Sequence, residues 1–186
     1  MNLWDKDNRL NAANVITFGN IACGIVAIYL IQRDLFVPAI VLAWIAGGLD
    51  IADGKVARRY GLSTEFGVQL DSFADFISFV VMPAFLLFYA VQHYLEIGGI
   101  ESLVLGGVFI GYILAGLRRL VEFNLKTDAG EVARYFEGVP TPLGAILLWI
   151  VYLLSAYGIL SSGYLVALIV AVIAWSLNSS LRIPHP

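Results

Sequence analysis

Cysteine, histidine and charge are all scarce in this chain of 186 residues: one Cys, two His, and 13% charged side chains. A solitary thiol, Cys23, excludes an intrachain disulfide and is read as a small apolar helix residue. His93 and His185 fall in an expected outer loop and at the C-terminus and are read as ordinary polar residues. With neither His nor Cys near a metal-ligand cluster, a zinc or copper centre is not expected. A net charge of -3 argues against nucleic acid as a partner. The shortage of charge, set against 60% hydrophobic residues and a mean hydropathy of +0.84, is incompatible with an ordinary soluble domain and places the chain in lipid.

What the chain does have is long apolar runs. Windows of bilayer length predict transmembrane helices near residues 13–32, 37–58, 66–92, 101–121, 141–158 and 163–181. The expected fold is therefore an all-α integral membrane protein, a single domain over 1–186 with six transmembrane helices and both termini on one side. Placing that side in the cytoplasm puts every Lys and Arg except Arg33 at a cytoplasmic end, as the positive-inside rule requires. The reading is a multi-pass cell-membrane protein with cytoplasmic termini. Residues 1–12 are too polar for a cleavable signal peptide and are read as a short interfacial helix around Trp4, with a frayed tail as the alternative. Pro83 is expected to kink the third helix, and Gly107-x3-Gly111 reads as close helix packing, within the chain or in a dimer.

Against this background stand Asp50, Asp53, Asp71 and Asp75, carried on the second and third predicted helices. A carboxylate at the bilayer centre costs roughly 2.5–3.5 kcal/mol on insertion scales, so intramembrane acids face a protein interior or a wet cavity. Spacings of three and four residues put each pair on one helix face, and two antiparallel helices turn both pairs into one cleft, open to the cytoplasm in this topology. An all-carboxylate site favours hard ions such as magnesium, manganese or calcium. Four carboxylates carry enough negative charge for two divalent cations, and two such ions suit displacement at a phosphoanhydride. Gly54, Ala57 and Gly67 leave room for a ligand to approach, and Arg58 offers a planar cation to phosphate oxygens. The same small residues also suit a tight helix crossing, and Arg58 also suits snorkelling to lipid phosphates.

Together these residues form Asp50-x2-Asp53-Gly54-x2-Ala57-Arg58-x8-Gly67-x3-Asp71-x3-Asp75, which resembles the signature of the CDP-alcohol phosphotransferases at every specified position. Asn14, Thr17, Asn20 and Gly24 resemble the pattern of that family's first helix, and six helices is the family architecture. The resemblance implies that the four aspartates bind two divalent cations, Mg2+ or Mn2+. Asp50 and Asp71 would bridge the ions, Asp53 would serve the first, and Asp75 would serve the second and act as general base. It implies CDP-lipid contacts at Gly54, Arg58 and Thr64, with Asn14 and Thr17 near the nucleotide and Ala57 and Gly67 in the same binding wall. It implies a homodimer, and a reaction in which an alcohol displaces CMP from a CDP-linked lipid.

The acceptor must be read from the second half. Leu117 to Asn124, followed by Phe136-x-Gly138-Val139-Pro140-x-Pro142, resembles the phosphatidylserine and archaetidylserine synthase branch, with Glu122 where a second arginine is usual. L-serine is the expected acceptor, and Arg118, Arg119, Glu122 and Arg134 are the candidate contacts. Anchoring of a helix end by Arg118 and Arg119 is the competing role. Glycerol 3-phosphate, inositol phosphate or inositol would keep the chemistry and change the acceptor. A divalent-cation transporter is the reading from another class, since acids also line ion paths; it would not need Gly54, Ala57, Arg58 and Gly67 at these gaps.

Overall fold

A computed structural model describes residues 3–6, 8–128, 135–179 and 182–184. Among the described residues seven α-helices carry the fold: α1 (Ala12–Ile31), α2 (Phe36–Tyr60), α3 (Glu65–Asp75), α4 (Met82–Leu95), α5 (Gly99–Asp128), α6 (Thr141–Ala156) and α7 (Gly163–Leu177). The one departure from all-α among the described residues is a small antiparallel pair, β1 (Tyr135–Glu137) with β2 (Arg182–Pro184). Backbone contacts divide the chain into two compact units, Met1–Ser78 and Phe79–Pro186.

In the first unit α1 packs along α2 and against α3. Side chains at the helix ends satisfy backbone groups that have no intrahelical partner. Asn11 caps α1, its Oδ1 accepting from the Asn14 amide at 3.0 Å, and its Nδ2 donates to the Leu62 carbonyl at 3.3 Å. Gly61, at φ 65°, closes α2 in the left-handed conformation that glycine adopts without strain. Thr64 then caps α3 by accepting from the Gly67 amide at 3.0 Å.

Among the described residues before α1 the expected interfacial helix is not seen; they are turns and irregular backbone. Asn8 Oδ1 accepts from the Leu10 amide at 3.0 Å, a local side-chain bond of the kind that competes with helix formation. Trp4 nonetheless packs on Tyr60, with ring centroids 4.6 Å apart.

Phe76–Val81 forms a π-helical turn immediately before α4, whose N-terminal turn holds Pro83. Proline has no N–H to give a regular helix, and the widened turn lies just ahead of it. In the second unit α5 packs on α7, and α4 on α6. Glu101, on α5, accepts from the Tyr164 amide at 3.1 Å and so caps the start of α7. His93 lies in the last turn of α4 rather than in a loop. Helix α5 outruns its expected apolar span, with an Arg118–Glu122 pair at 2.8 Å continuing it as polar helix. Gly107 and Gly111 have no atom within 4 Å of where a Cβ would sit, so no described part of the chain packs closely on them.

Among the described residues four helical stretches are long and apolar enough to cross a membrane: Ala12–Ile31, Phe36–Tyr60, Glu65–Leu95 and Gly99–Leu125. The apolar helices Thr141–Ala156 and Gly163–Leu177 are shorter. Each rises only about 22–24 Å, against a hydrocarbon core of about 30 Å.

Candidate active site and metal centre

Helices α1 and α2 run antiparallel, which their polar contacts record directly. Thr17 Oγ1 lies 2.6 Å from Asp53 Oδ2, and Asn20 Nδ2 donates to Asp50 Oδ1 at 3.4 Å. As the position on α1 rises by three, the position on α2 falls by three. One polar stripe on α1 therefore serves the acidic stripe on α2. Asn14, Thr17, Asn20 and Asp53 are all buried. Buried polar groups are tolerated when hydrogen-bonded, and these bonds answer that requirement on both helices.

Helix α3 completes the cluster. Asp50, Asp53 and Asp71 each offer an oxygen, and these atoms all lie within 4.8 Å of one another. Asp75, one turn beyond Asp71, meets Asp50 side chain to side chain. Arg58 lies near enough for its charge to act on both Asp53 and Asp71. A hard divalent cation fits this donor set: carboxylate oxygens from two helices converge, with no nitrogen or sulfur among them.

A cavity of about 430 Å³ joins these groups. Its walls contain the four aspartates together with Asn14, Thr17, Gly54, Ala57, Arg58, Thr64 and Gly67. Every residue that the sequence assigned to metal or CDP-lipid thus faces one space. At Gly67 a Cβ would come within 2.9 Å of Asn14 Oδ1 and 3.2 Å of Thr64 Oγ1, so a larger residue would push these cavity side chains aside. At Gly54 a Cβ would come within 3.2 Å of the Arg58 guanidinium, so glycine leaves that group free to lie along its own helix.

Several wall residues were not foreseen. Ala13, Ile51, Leu62, Ser63 and Val68 also line the cavity, and nothing in their chemistry marks them in the sequence. Asn20 and Ser78 belong to the polar network around Asp50, Ser78 Oγ donating to Asn20 Oδ1 at 2.6 Å. A signal for them existed: both are polar residues in apolar helix, three positions beyond Thr17 and Asp75 respectively.

The candidate acceptor residues lie in the second unit. Arg119 is buried on α5, whereas Arg118 is exposed and ion-paired with Glu122. Arg134 lies outside the described residues.

Residues 10–178 match the model of the CDP-alcohol phosphatidyltransferase family. The chain belongs to this family. Among curated relatives, a CDP-diacylglycerol–serine O-phosphatidyltransferase of Bacillus subtilis is 28% identical over 171 residues, covering 92% of this chain and 88% of that protein. A protein of the same name from Helicobacter pylori is 32% identical over 143 residues, covering 76% of this chain. An archaetidylserine synthase of Methanothermobacter thermautotrophicus is 32% identical over 154 residues, covering 82% of this chain. The chain spans 57% of the Helicobacter protein's length and 62% of the Methanothermobacter protein's. The family uses divalent metals, and the aspartate cluster supplies a place for one.

Proposed function

We propose that this protein transfers a phosphatidyl-type group from a CDP-linked lipid, CDP-diacylglycerol or CDP-archaeol, to the hydroxyl of L-serine with release of CMP. The observation that carries the reading is the single cavity in which Asp50, Asp53, Asp71 and Asp75 face Arg58, Thr64 and Gly67. The printed names of the relatives support serine as the acceptor.

Asp50, Asp53, Asp71 and Asp75 would hold two divalent cations, Mg2+ or Mn2+, which when bound neutralise diphosphate charge and polarise its phosphorus. Arg58 binds phosphate oxygens, and Gly54 and Ala57 keep the wall low enough for close approach. Asn14, Thr17 and Thr64 line the nucleotide end. Ile51 and Val68, 59% and 48% exposed on the cavity wall, offer an apolar exit for the lipid chains. Asp75 accepts the proton of the serine hydroxyl as its oxygen attacks the lipid-bearing phosphorus. The bond from that phosphorus to the CMP oxygen breaks, and CMP leaves with the electron pair.

For serine itself, Arg119 is assigned to the carboxylate, with Arg118 and Arg134 as further cations. Glu122 is the candidate for the ammonium, although Arg118 already engages it at 2.8 Å. The chain is read as one membrane domain, which the match over residues 10–178 supports, since it spans both compact units. Six spans with cytoplasmic termini follow if α6 and α7 cross where the bilayer thins locally. A homodimer belongs to the same reading.

The test is an acceptor screen. Purified protein, CDP-lipid and Mg2+ or Mn2+ are combined with serine, glycerol 3-phosphate, inositol phosphate or inositol, and CMP release is measured. Serine is expected to drive release. Release with another acceptor but not serine overturns the acceptor, and no release with any overturns the transfer.

A further inference from the structure

Polar atoms deep in an apolar helix bundle are costly to strand, so where such atoms point carries information. Asn20 is 0% exposed and Ser78 is 3% exposed, and they meet each other across the first unit. Asn20 has two ends. Its Oδ1 accepts the Ser78 hydroxyl at 2.6 Å, and its Nδ2 reaches Asp50 Oδ1 at 3.4 Å. The first contact is short, and the second is long for an N–H to oxygen bond. Ser78 therefore holds the amide firmly, with its donor side turned to the carboxylate. A flipped amide would put oxygen against oxygen.

Two local features make this contact possible. Gly24 lies one turn beyond Asn20 on α1, and a Cβ there would stand 2.7 Å from Ile77 Cγ2 and 3.2 Å from Ser78 Oγ. Only a bare backbone lets α1 come this close to residues 77 and 78. Ser78 itself sits in the π-helical turn that follows Asp75. A helical serine commonly turns its hydroxyl back to the carbonyl four residues earlier, whereas Ser78 directs its own across to α1.

We infer that Ser78 and Asn20 form a positioning relay for Asp50, in which the serine orients the amide and the amide orients the carboxylate toward the metal-binding cluster. The inference rests on the proposed metal role of Asp50 and adds two residues that touch neither metal nor substrate. Their effect is on metal affinity, because hydrogen-bonded partners of ligands set ligand orientation and typically change affinity by 10- to 100-fold when removed.

The experiment measures Mn2+ binding to the purified protein by electron paramagnetic resonance, without CDP-lipid, alongside the Mg2+ dependence of CMP release. Ser78→Ala is expected to weaken Mn2+ binding about tenfold. Ser78→Thr, which keeps the hydroxyl, should restore it to within about threefold of the parent. Asn20→Ala should weaken binding at least as much, and the Asn20→Ala, Ser78→Ala double variant no more than Asn20→Ala alone, because a relay broken once is broken. The KM for serine at saturating metal should not move.

Unchanged Mn2+ affinity in Ser78→Ala and Asn20→Ala, with only a lowered melting temperature, overturns the relay and reduces the pair to helix packing. Fully additive losses in the double variant also overturn it. If Ser78→Ala does not fold, the comparison of Ser78→Thr with Asn20→Ala decides, since the relay requires the first to bind Mn2+ normally and the second weakly. Failure of the unmodified chain to bind Mn2+ at all overturns the metal role of the aspartates, a result distinct from loss in the variants alone.

Discussion

The two compact units of this chain bury different kinds of side chain. In Met1–Ser78 the buried apolar residues are mostly alanine, Ala13, Ala27, Ala39, Ala46 and Ala74, and the buried polar ones include Asn14, Thr17, Asn20, Asp53 and Ser78. In Phe79–Pro186 the buried residues are mainly large, among them Leu86, Leu87, Leu105, Tyr112, Leu148, Val166 and Leu177. Lipid tails are as apolar as leucine, so helices in a membrane associate through close packing and hydrogen bonds. The first unit uses small residues and polar bonds, which bring backbones close and leave carboxylates facing a cavity. The second interlocks bulky side chains.

Substitutions can break this contrast, and the largest effect is expected at Asp75. Asp75→Asn should lower turnover by about 10²- to 10⁴-fold, the usual contribution of a general base, while CDP-lipid binding stays measurable. Steady-state CMP release with a parallel binding titration checks this, and near-normal turnover removes Asp75 from the base role. Next comes Arg58→Ala, expected to weaken CDP-lipid affinity by about 10- to 100-fold through loss of charge-assisted hydrogen bonds. Unchanged affinity would return Arg58 to an anchoring role.

A reciprocal pair of packing variants sharpens the contrast itself. Ala27→Leu in the first unit should destabilise by overpacking, and Leu148→Ala in the second by leaving a void, each by about 2 kcal/mol. Thermal unfolding in detergent measures both. Tolerance of Ala27→Leu would mean that the first unit is not close-packed. The smallest effect belongs to Glu122→Gln. Loss of its exposed pair with Arg118 should change stability by less than about 0.5 kcal/mol, so a clear rise in the KM for serine would report a binding role.

Much of the candidate site was legible because helical spacing is itself geometry. Asp50 with Asp53, and Asp71 with Asp75, must share faces if their segments are helical, and the cost of bare carboxylates in lipid forces those faces together. The interhelical partners were harder to read. Asn20 and Ser78 lie 58 positions apart, and nothing in either segment states that they touch. The π-helical turn at Phe76–Val81 was announced only by Pro83. Among the described residues before α1 turns stand where a helix was expected, and Asn8 bonds to nearby backbone there, a competition between local options that polarity alone does not resolve. Apolar length placed α6 and α7 as spans, while the helices that form are shorter than a bilayer core.

Composition and periodicity by themselves determined a helical membrane protein and its acidic faces, because these depend on residue type and on spacing within one helix. Tertiary structure alone decided which α1 side chain reaches which aspartate, which glycines are held to their size by a neighbour, and which half of the chain packs small and polar. Those are relations between distant segments, set by the closeness and direction of helix approach, and no single segment contains them.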